Sequence, residues 1–235
     1  MSGLDVIPID HLDLAFVPKP WAFAAERRAE IDAHFAARRR AIPQLWNGRV
    51  LLLHEAEVTG TTLRGAFFET DFASFVAWRD WGFPPAAAVN CFAMGALRTS
   101  DGAFLAGVMG PHTANAGRVY FPAGTPDPGD VADGRVDLAG SVIRELAEET
   151  GLGPDDVHRE PGWHAVLTGP RIALIKTLHV EETAEALRAR VVRFLAQEAE
   201  PELADMRILR GPGDLDPMMP DFVPAFLHRM WDERR

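Results

Sequence analysis

The chain has 235 residues, 47% of them hydrophobic and 25% charged, which is enough to bury one generous core and too apolar for wholesale disorder. Its 34 acidic and 24 basic residues leave a formal charge of -10, which argues against a surface built to coat a nucleic-acid backbone. The single cysteine, Cys91, excludes an intramolecular disulfide framework and any multi-cysteine zinc site. No uncharged apolar stretch approaches about 18 residues, and MSGLDVIPIDHLDL lacks the basic-then-apolar pattern of a secretory signal. The expectation is a cytoplasmic protein with no membrane and no nucleic-acid partner.

In chain order, residues 1-20 are expected as an extended arm held by Val6, Ile7, Leu12, Leu14 and Phe16. Trp21 to Ile42 reads as one amphipathic helix, with Phe23, Ile31 and Phe35 near helical spacing and Arg27, Arg28, Arg38, Arg39 and Arg40 on its other sides. Those arginines form either a solvated face or a surface turned to phosphate or to a second copy. Asn47-Gly48 marks a turn, and Arg49 to Leu53 with Leu63 to Phe68 predicts a hairpin broken at Gly60. Thr70 or Asp71 caps a short helix through Trp78. Phe72, Phe75, Trp78 and Trp81 serve as core or lid packing, or as a base-stacking surface.

Pro84-Pro85 is the expected soft boundary between an N-terminal extension, 1-85, and a main domain, 86-235, packed as one body. Phe92 to Leu97 and Phe104 to Val108 predict strands joined at Ser100-Asp101-Gly102, followed by a short strand, Val119 to Phe121. A loop from Pro122 to Arg135 leads into a helix from Asp137 to Thr150. Later strands fall at Ala165 to Leu167, Ile172 to Val180 and Met206 to Leu209, and later helices at Glu182 to Gln197 and Asp221 to Trp231. Without regular βαβ alternation, this order predicts an α/β fold whose mixed sheet carries helices on both sides.

The sharpest local feature is Arg144-Glu145-Leu146-Ala147-Glu148-Glu149-Thr150-Gly151-Leu152. On a helix Glu145 and Glu149 share a face, and Glu148 lies adjacent to it. Leu138, Ala139, Val142 and Leu146 turn largely the other way, and Gly151 stands where a helix-ending glycine belongs. Three crowded carboxylates, two near the negative end of the helix dipole, call for positive charge. Arg144 covers part of it through Glu148. The set is either a solvent-exposed charged helix or an oxygen-rich site for Mg²⁺ or Mn²⁺.

Arg144 through Leu152 resembles the second half of the Nudix hydrolase signature: Arg-Glu-aliphatic-any-Glu-Glu-any-Gly-aliphatic. Phe121-Pro122-Ala123-Gly124 resembles the segment that opens that motif, and together they span Gly124 to Leu152. The resemblance implies a Nudix-type α/β/α sandwich, here with an N-terminal α+β extension. It departs twice. The first signature glutamate falls on Val136, a position that supports the loop and arginine, where Asp133 or Asp137 is the expected substitute. Gly124 also lies twelve residues before Val136 instead of six. The extension, with Leu45-Trp46-Asn47-Gly48, loosely resembles the nucleotide-sugar diphosphatase branch.

The resemblance further implies Mg²⁺ or Mn²⁺ held by Glu145, Glu148 and Glu149 with the Gly124 carbonyl, and Arg144 orienting the carboxylates. The activity implied is cleavage of the pyrophosphate bond of a nucleoside diphosphate linked to another moiety, such as a sugar. ADP-ribose, a dinucleotide, NADH or coenzyme A are alternative substrates, and a non-catalytic nucleotide sensor is the alternative outside enzymes. The water-activating base is a helix glutamate or one of Glu198, Glu200, Glu202 and Asp205, with Glu202 preferred. In the loop Gly110 to Arg118, His112, Asn115 and Arg118 are candidates for contacting phosphate or base, against plain turn chemistry. Arg118 and His112 are the substrate-binding expectations. His164 and His179 receive no ligand role, and a homodimer through the extension is expected as possible.

Overall fold

The computed structural model describes residues 4-233, so residues 1-3 of the expected arm and residues 234-235 of the expected main domain lie outside it. In chain order the strands are β1 (Val6–Ile9), β2 (His11–Phe16), β3 (Arg49–Thr59), β4 (Thr62–Asp71), β5 (Asn90–Arg98), β6 (Phe104–Met109) and β7 (Val119–Tyr120). There follow β8 (Ala123–Gly124), β9 (Val131–Ala132), β10 (Arg135–Val136), β11 (His158–Arg159), β12 (Trp163–Thr168), β13 (Arg171–His179) and β14 (Leu203–Leu209). The helices are α1 (Ala22–Glu26), α2 (Arg28–Ala41), α3 (Phe72–Asp80), α4 (Leu138–Thr150), α5 (Ala184–Leu195) and α6 (Phe222–Asp232).

The larger sheet runs β1-β12-β13-β5-β6-β14, with β13 and β5 parallel and its other pairs antiparallel. Period-two alternation builds a core on each face. Along β5, Ala93 and Leu97 join Leu138, Val142 and Leu146 of α4 and Leu187 and Val191 of α5. Met94 and Ala96 turn to the other face, against Phe226 and Leu227 of α6. Helices therefore cover both faces of a mixed sheet, the α/β/α sandwich that the resemblance implies.

The smaller sheet runs β3-β4-β2-β10-β9. Its Leu51, Leu53, Phe67 and Leu14 face the same core as α4 and α5, while Val50, Leu52 and Phe68 pack under α1, α2 and α3. Asp71 caps α3 by accepting the Ser74 N–H at 3.0 Å. Phe75 and Trp78 are core residues, whereas Phe72 and Trp81 are only partly buried beside them.

Three segments differ from expectation. The arm is two strands, and they part company: β1 pairs with β12 in the larger sheet and β2 runs parallel to β4 in the smaller one. The single helix from Trp21 to Ile42 is two, interrupted at Arg27, whose backbone is non-helical. The loop Pro122 to Arg135 contains β8, a 3-10 turn at Pro128–Asp130 and the β9-β10 hairpin, which joins the smaller sheet through Arg135 and Ala15. The chain thus crosses between the sheets on both sides of Pro84-Pro85.

Candidate metal and substrate site

The larger sheet forks at β5. Leu97 and Arg98 pair with β6, but Ala93 and Met94 pair instead with Gly124 and Ala123 of β8. The Gly95 N–H donates to the Pro122 carbonyl at 2.9 Å. This fork seats Gly124 beside α4. A side chain at Gly124 would displace the Glu145 carboxylate from where it lies, so glycine is what lets strand and carboxylate approach this closely. From the smaller sheet, Leu51 donates its N–H to the Pro126 carbonyl at 2.7 Å. The extension thereby braces the loop that follows.

Asp137 caps α4, accepting from the Ala139 and Gly140 N–H groups at 3.1 and 2.9 Å, and Gly151 ends it in the left-handed conformation, φ 72°. Val136 is buried in the core. Neither Asp133, at the left-handed tip of the β9-β10 hairpin with φ 50°, nor Asp137 supports the arginine. Asp130 does so. Its carboxylate accepts two bonds from Arg144 Nη2, at 3.0 and 3.2 Å, one from the Ser141 hydroxyl at 3.1 Å and one from the Asp127 N–H at 3.0 Å. Burial works against the Arg144 charge, but the bonds and charges of Asp130, Glu145 and Asp127 outweigh it and hold the guanidinium firmly protonated. Asp130 is the residue that counting along the signature missed. The longer loop and the apolar Val136 were the signals that the acid had moved.

The four carboxylates expected at the site differ in setting. Glu145 has 13% of its side chain exposed and accepts from Arg144 Nη1 at 2.8 Å. Burial pushes its carboxyl up to about 7, with Arg144 opposing and Glu148 and Glu202 adding to the rise. Glu149 is 2% exposed. Its Oε1 accepts the Ala123 N–H at 3.2 Å, and its Oε2 has no hydrogen-bond partner. Burial, then the charge of Glu202, pushes the Glu149 carboxyl well above the ordinary range, only partly offset by Ala123. Glu148 lies in solvent, 61% exposed, with Arg144 Nη1 3.7 Å away.

Glu202 keeps an exposed surface. Protein crowding around its carboxyl still raises its pKa, while nearby His112 lowers it and Glu148 raises it. Glu202, immediately before β14, thus lies within electrostatic reach of the carboxylates of α4. The Glu202 carbonyl accepts the Gly110 N–H at 2.7 Å, tying this segment to the loop that carries His112. Arg118 is exposed, and its backbone closes that loop through Asn115 and Met109. Asn115 donates to the Tyr120 hydroxyl at 3.0 Å. Burial raises the Tyr120 phenol, and the charges of Glu149 and Glu202 add to the rise, so Tyr120 belongs to this neighbourhood although its sequence context gave no sign of it.

Among the described residues, no three His, Cys, Asp or Glu side chains converge as a ready-made metal sphere. Arg144 holds Glu145, and Glu148 points to water. The donor chemistry nevertheless fits a hard divalent cation. It is all oxygen, it is more acidic than Arg144 can neutralise, and it includes a buried carboxylate oxygen with nothing bonded to it.

No family profile and no curated protein matches the chain. Solved structures similar to it include a Nudix hydrolase from M. smegmatis, RenU, at 14% identity and TM-score 0.37, covering 61% of this chain and 83% of that one. The MutT protein of Methanosarcina mazei Go1 is 18% identical with TM-score 0.42, covering 63% and 96%. A bifunctional NMN adenylyltransferase/ADP ribose pyrophosphatase from Francisella tularensis, complexed with AMP and a manganese ion, is 14% identical with TM-score 0.40, covering 68% and 46%. The architecture described above rests on the chain's own strand pairing and not on these likenesses. Among the described residues no helix is long and apolar enough to cross a membrane.

Proposed function

We propose that the chain is a Nudix-type pyrophosphohydrolase that uses Mg²⁺ or Mn²⁺ to cleave a nucleoside diphosphate linked to another moiety, with a nucleotide sugar as the first substrate to test. The observation that carries this reading is Glu149: a carboxylate 2% exposed, with one oxygen unbonded, beside Glu145 and under the charge of Glu202. A buried carboxylate left half satisfied among like charges is costly, and a cation relieves the cost.

Glu145, Glu148 and Glu149, with the Gly124 carbonyl, would hold the ion. When bound, a divalent ion screens the diphosphate from the carboxylates and makes phosphorus more electrophilic. Arg144, clamped by Asp130, fixes the position of Glu145. Water attacks one phosphorus, the bridging P–O bond breaks, and a nucleoside monophosphate and a phosphorylated partner leave. The proton lost by the water passes to the Glu202 carboxylate, whose pKa burial raises above the ordinary carboxylate value, making it a stronger base than a free glutamate. Arg118 and His112 are the proposed substrate contacts.

The test is turnover of UDP-glucose, GDP-mannose, ADP-ribose, NADH, coenzyme A and a nucleoside triphosphate with Mg²⁺ or Mn²⁺, wild type beside Glu148→Gln. Release of a nucleoside monophosphate, lost in the variant, supports the reading. Metal-independent turnover, or full activity in Glu148→Gln, overturns it.

A further inference from the structure

The turn between α2 and β3 holds Trp46 out of the core, 81% exposed. The turn beneath it is firmly fixed. The Asn47 side-chain oxygen accepts the Ala73 N–H at 2.8 Å, and the Gly48 carbonyl accepts the Phe72 N–H at 2.9 Å, clamping the turn onto the start of α3. A Cβ at Gly48 would stand 3.1 and 3.2 Å from Trp46 Cδ1 and Nε1. The indole therefore lies against the Gly48 backbone on one side and leaves its remaining surface open. Trp46 is the one aromatic among the exposed large hydrophobics of the described residues, and its open ring face is available to a flat partner.

Trp46 lines a cavity of about 410 Å³, within the usual range for small-molecule sites. Leu45, Val50 and Phe72 supply apolar lining, and His112 and Glu202 line it as well. Glu202 is the same residue whose charge bears on Glu145 and Glu149, so the cavity and the carboxylates of α4 have Glu202 in common. Its remaining polar lining is Gln44, Thr113 and Glu200. No lysine or arginine is present to receive a phosphate, while carboxylate and amide oxygens are available to accept N–H groups.

We infer that this cavity is the subsite for the ring-bearing end of the substrate. An uncharged nucleobase stacks on Trp46 and donates its N–H edge to Gln44 or Glu200, while the phosphates lie toward α4. The inference rests on the pyrophosphohydrolase reading for the word substrate, but the ring site itself can be tested without turnover.

Binding of AMP, UMP and the ringless ribose 5-phosphate to the wild type, Trp46→Phe and Trp46→Ala is measured by calorimetry, with thermal unfolding as a folding control. The expected result is a loss of about tenfold or more in AMP and UMP affinity in Trp46→Ala, in line with the energy of a base–aromatic stack. Trp46→Phe stays within about threefold of wild type, and ribose 5-phosphate does not distinguish the three proteins. On a nucleotide substrate, Trp46→Ala raises KM with kcat nearly unchanged. Mononucleotide binding that depends on Trp46 without turnover of any diphosphate would support the ring site and overturn the hydrolase reading. Turnover with KM and mononucleotide affinity unchanged in Trp46→Ala would overturn the ring site alone. A wild-type dimer that dissociates in Trp46→Ala on sedimentation would overturn it too, by assigning the indole to a second copy of the chain.

Discussion

Asp130 and Glu149 are both carboxylates inside the protein, 7% and 2% exposed, and the fold treats them in opposite ways. Both Asp130 oxygens are bonded, to Arg144, Ser141 and the Asp127 backbone. Glu149 has one bond, from Ala123, and an oxygen with none. Their burial is similar, so burial does not separate them. A carboxylate whose bonds are complete holds its surroundings together, and one left incomplete among like charges is the one that a cation would relieve.

The largest expected effect follows from Glu149. Glu149→Gln keeps shape and removes charge, so metal-dependent turnover falls about a thousandfold, on the order of 4 kcal/mol, while urea unfolding moves by less than about 1 kcal/mol. A large loss of stability with turnover intact would make Glu149 another Asp130.

The next effect is one of pH. Burial holds the Glu145 carboxyl up at about 7, so the native state keeps a proton that the unfolded chain releases nearer pH 4.5. The unfolded state therefore binds fewer protons across that window, and stability falls as pH rises through it, by about 2 to 3 kcal/mol. Urea unfolding in chelator at pH 5 and pH 8 measures the fall. Glu145→Gln flattens it, and Mg²⁺ raises stability more at pH 8 than at pH 5 because it binds the anion.

Asp130→Asn tests the satisfied side of the comparison. It removes the charge that clamps Arg144 and costs about 2 kcal/mol in urea unfolding, with a smaller loss of turnover through a misplaced Glu145. The smallest effect is that of Ser141→Ala, which deletes one of the bonds to Asp130 and costs about 1 kcal/mol. An Asp130→Asn protein as stable as wild type would remove the structural half of the contrast.

Much of the fold was legible because its signals are local. Alternation along β5 and β13, the cap Asp71, the helix start at Asp137, and Gly151 at the end of α4 all report on a few neighbouring residues. The arm was misread although Leu12, Leu14 and Phe16 already alternate as a strand does, because a strand without its partner in view looks like any extended segment. At the site, the helix carboxylates were legible because their spacing fixes their face. Asp130 was not, because it reaches Arg144 from across a loop whose six extra residues break the register. The link between Glu202 and α4 was visible only as a preference among several acids. It depends on β14 pairing with β6, a contact that sequence order does not announce.

The first strand has a role out of proportion to its four residues. β1 covers the outer edge of the larger sheet by pairing Val6 to Ile9 with Val166 to Trp163 of β12. A protein shortened to begin at residue 86 would expose the free N–H and C=O groups along β12, the template on which strands of other molecules add. Such a fragment could keep every carboxylate of α4 and still be lost to self-association, both through the bared β12 edge and through the core face that Leu14, Leu51, Leu53 and Phe67 had covered.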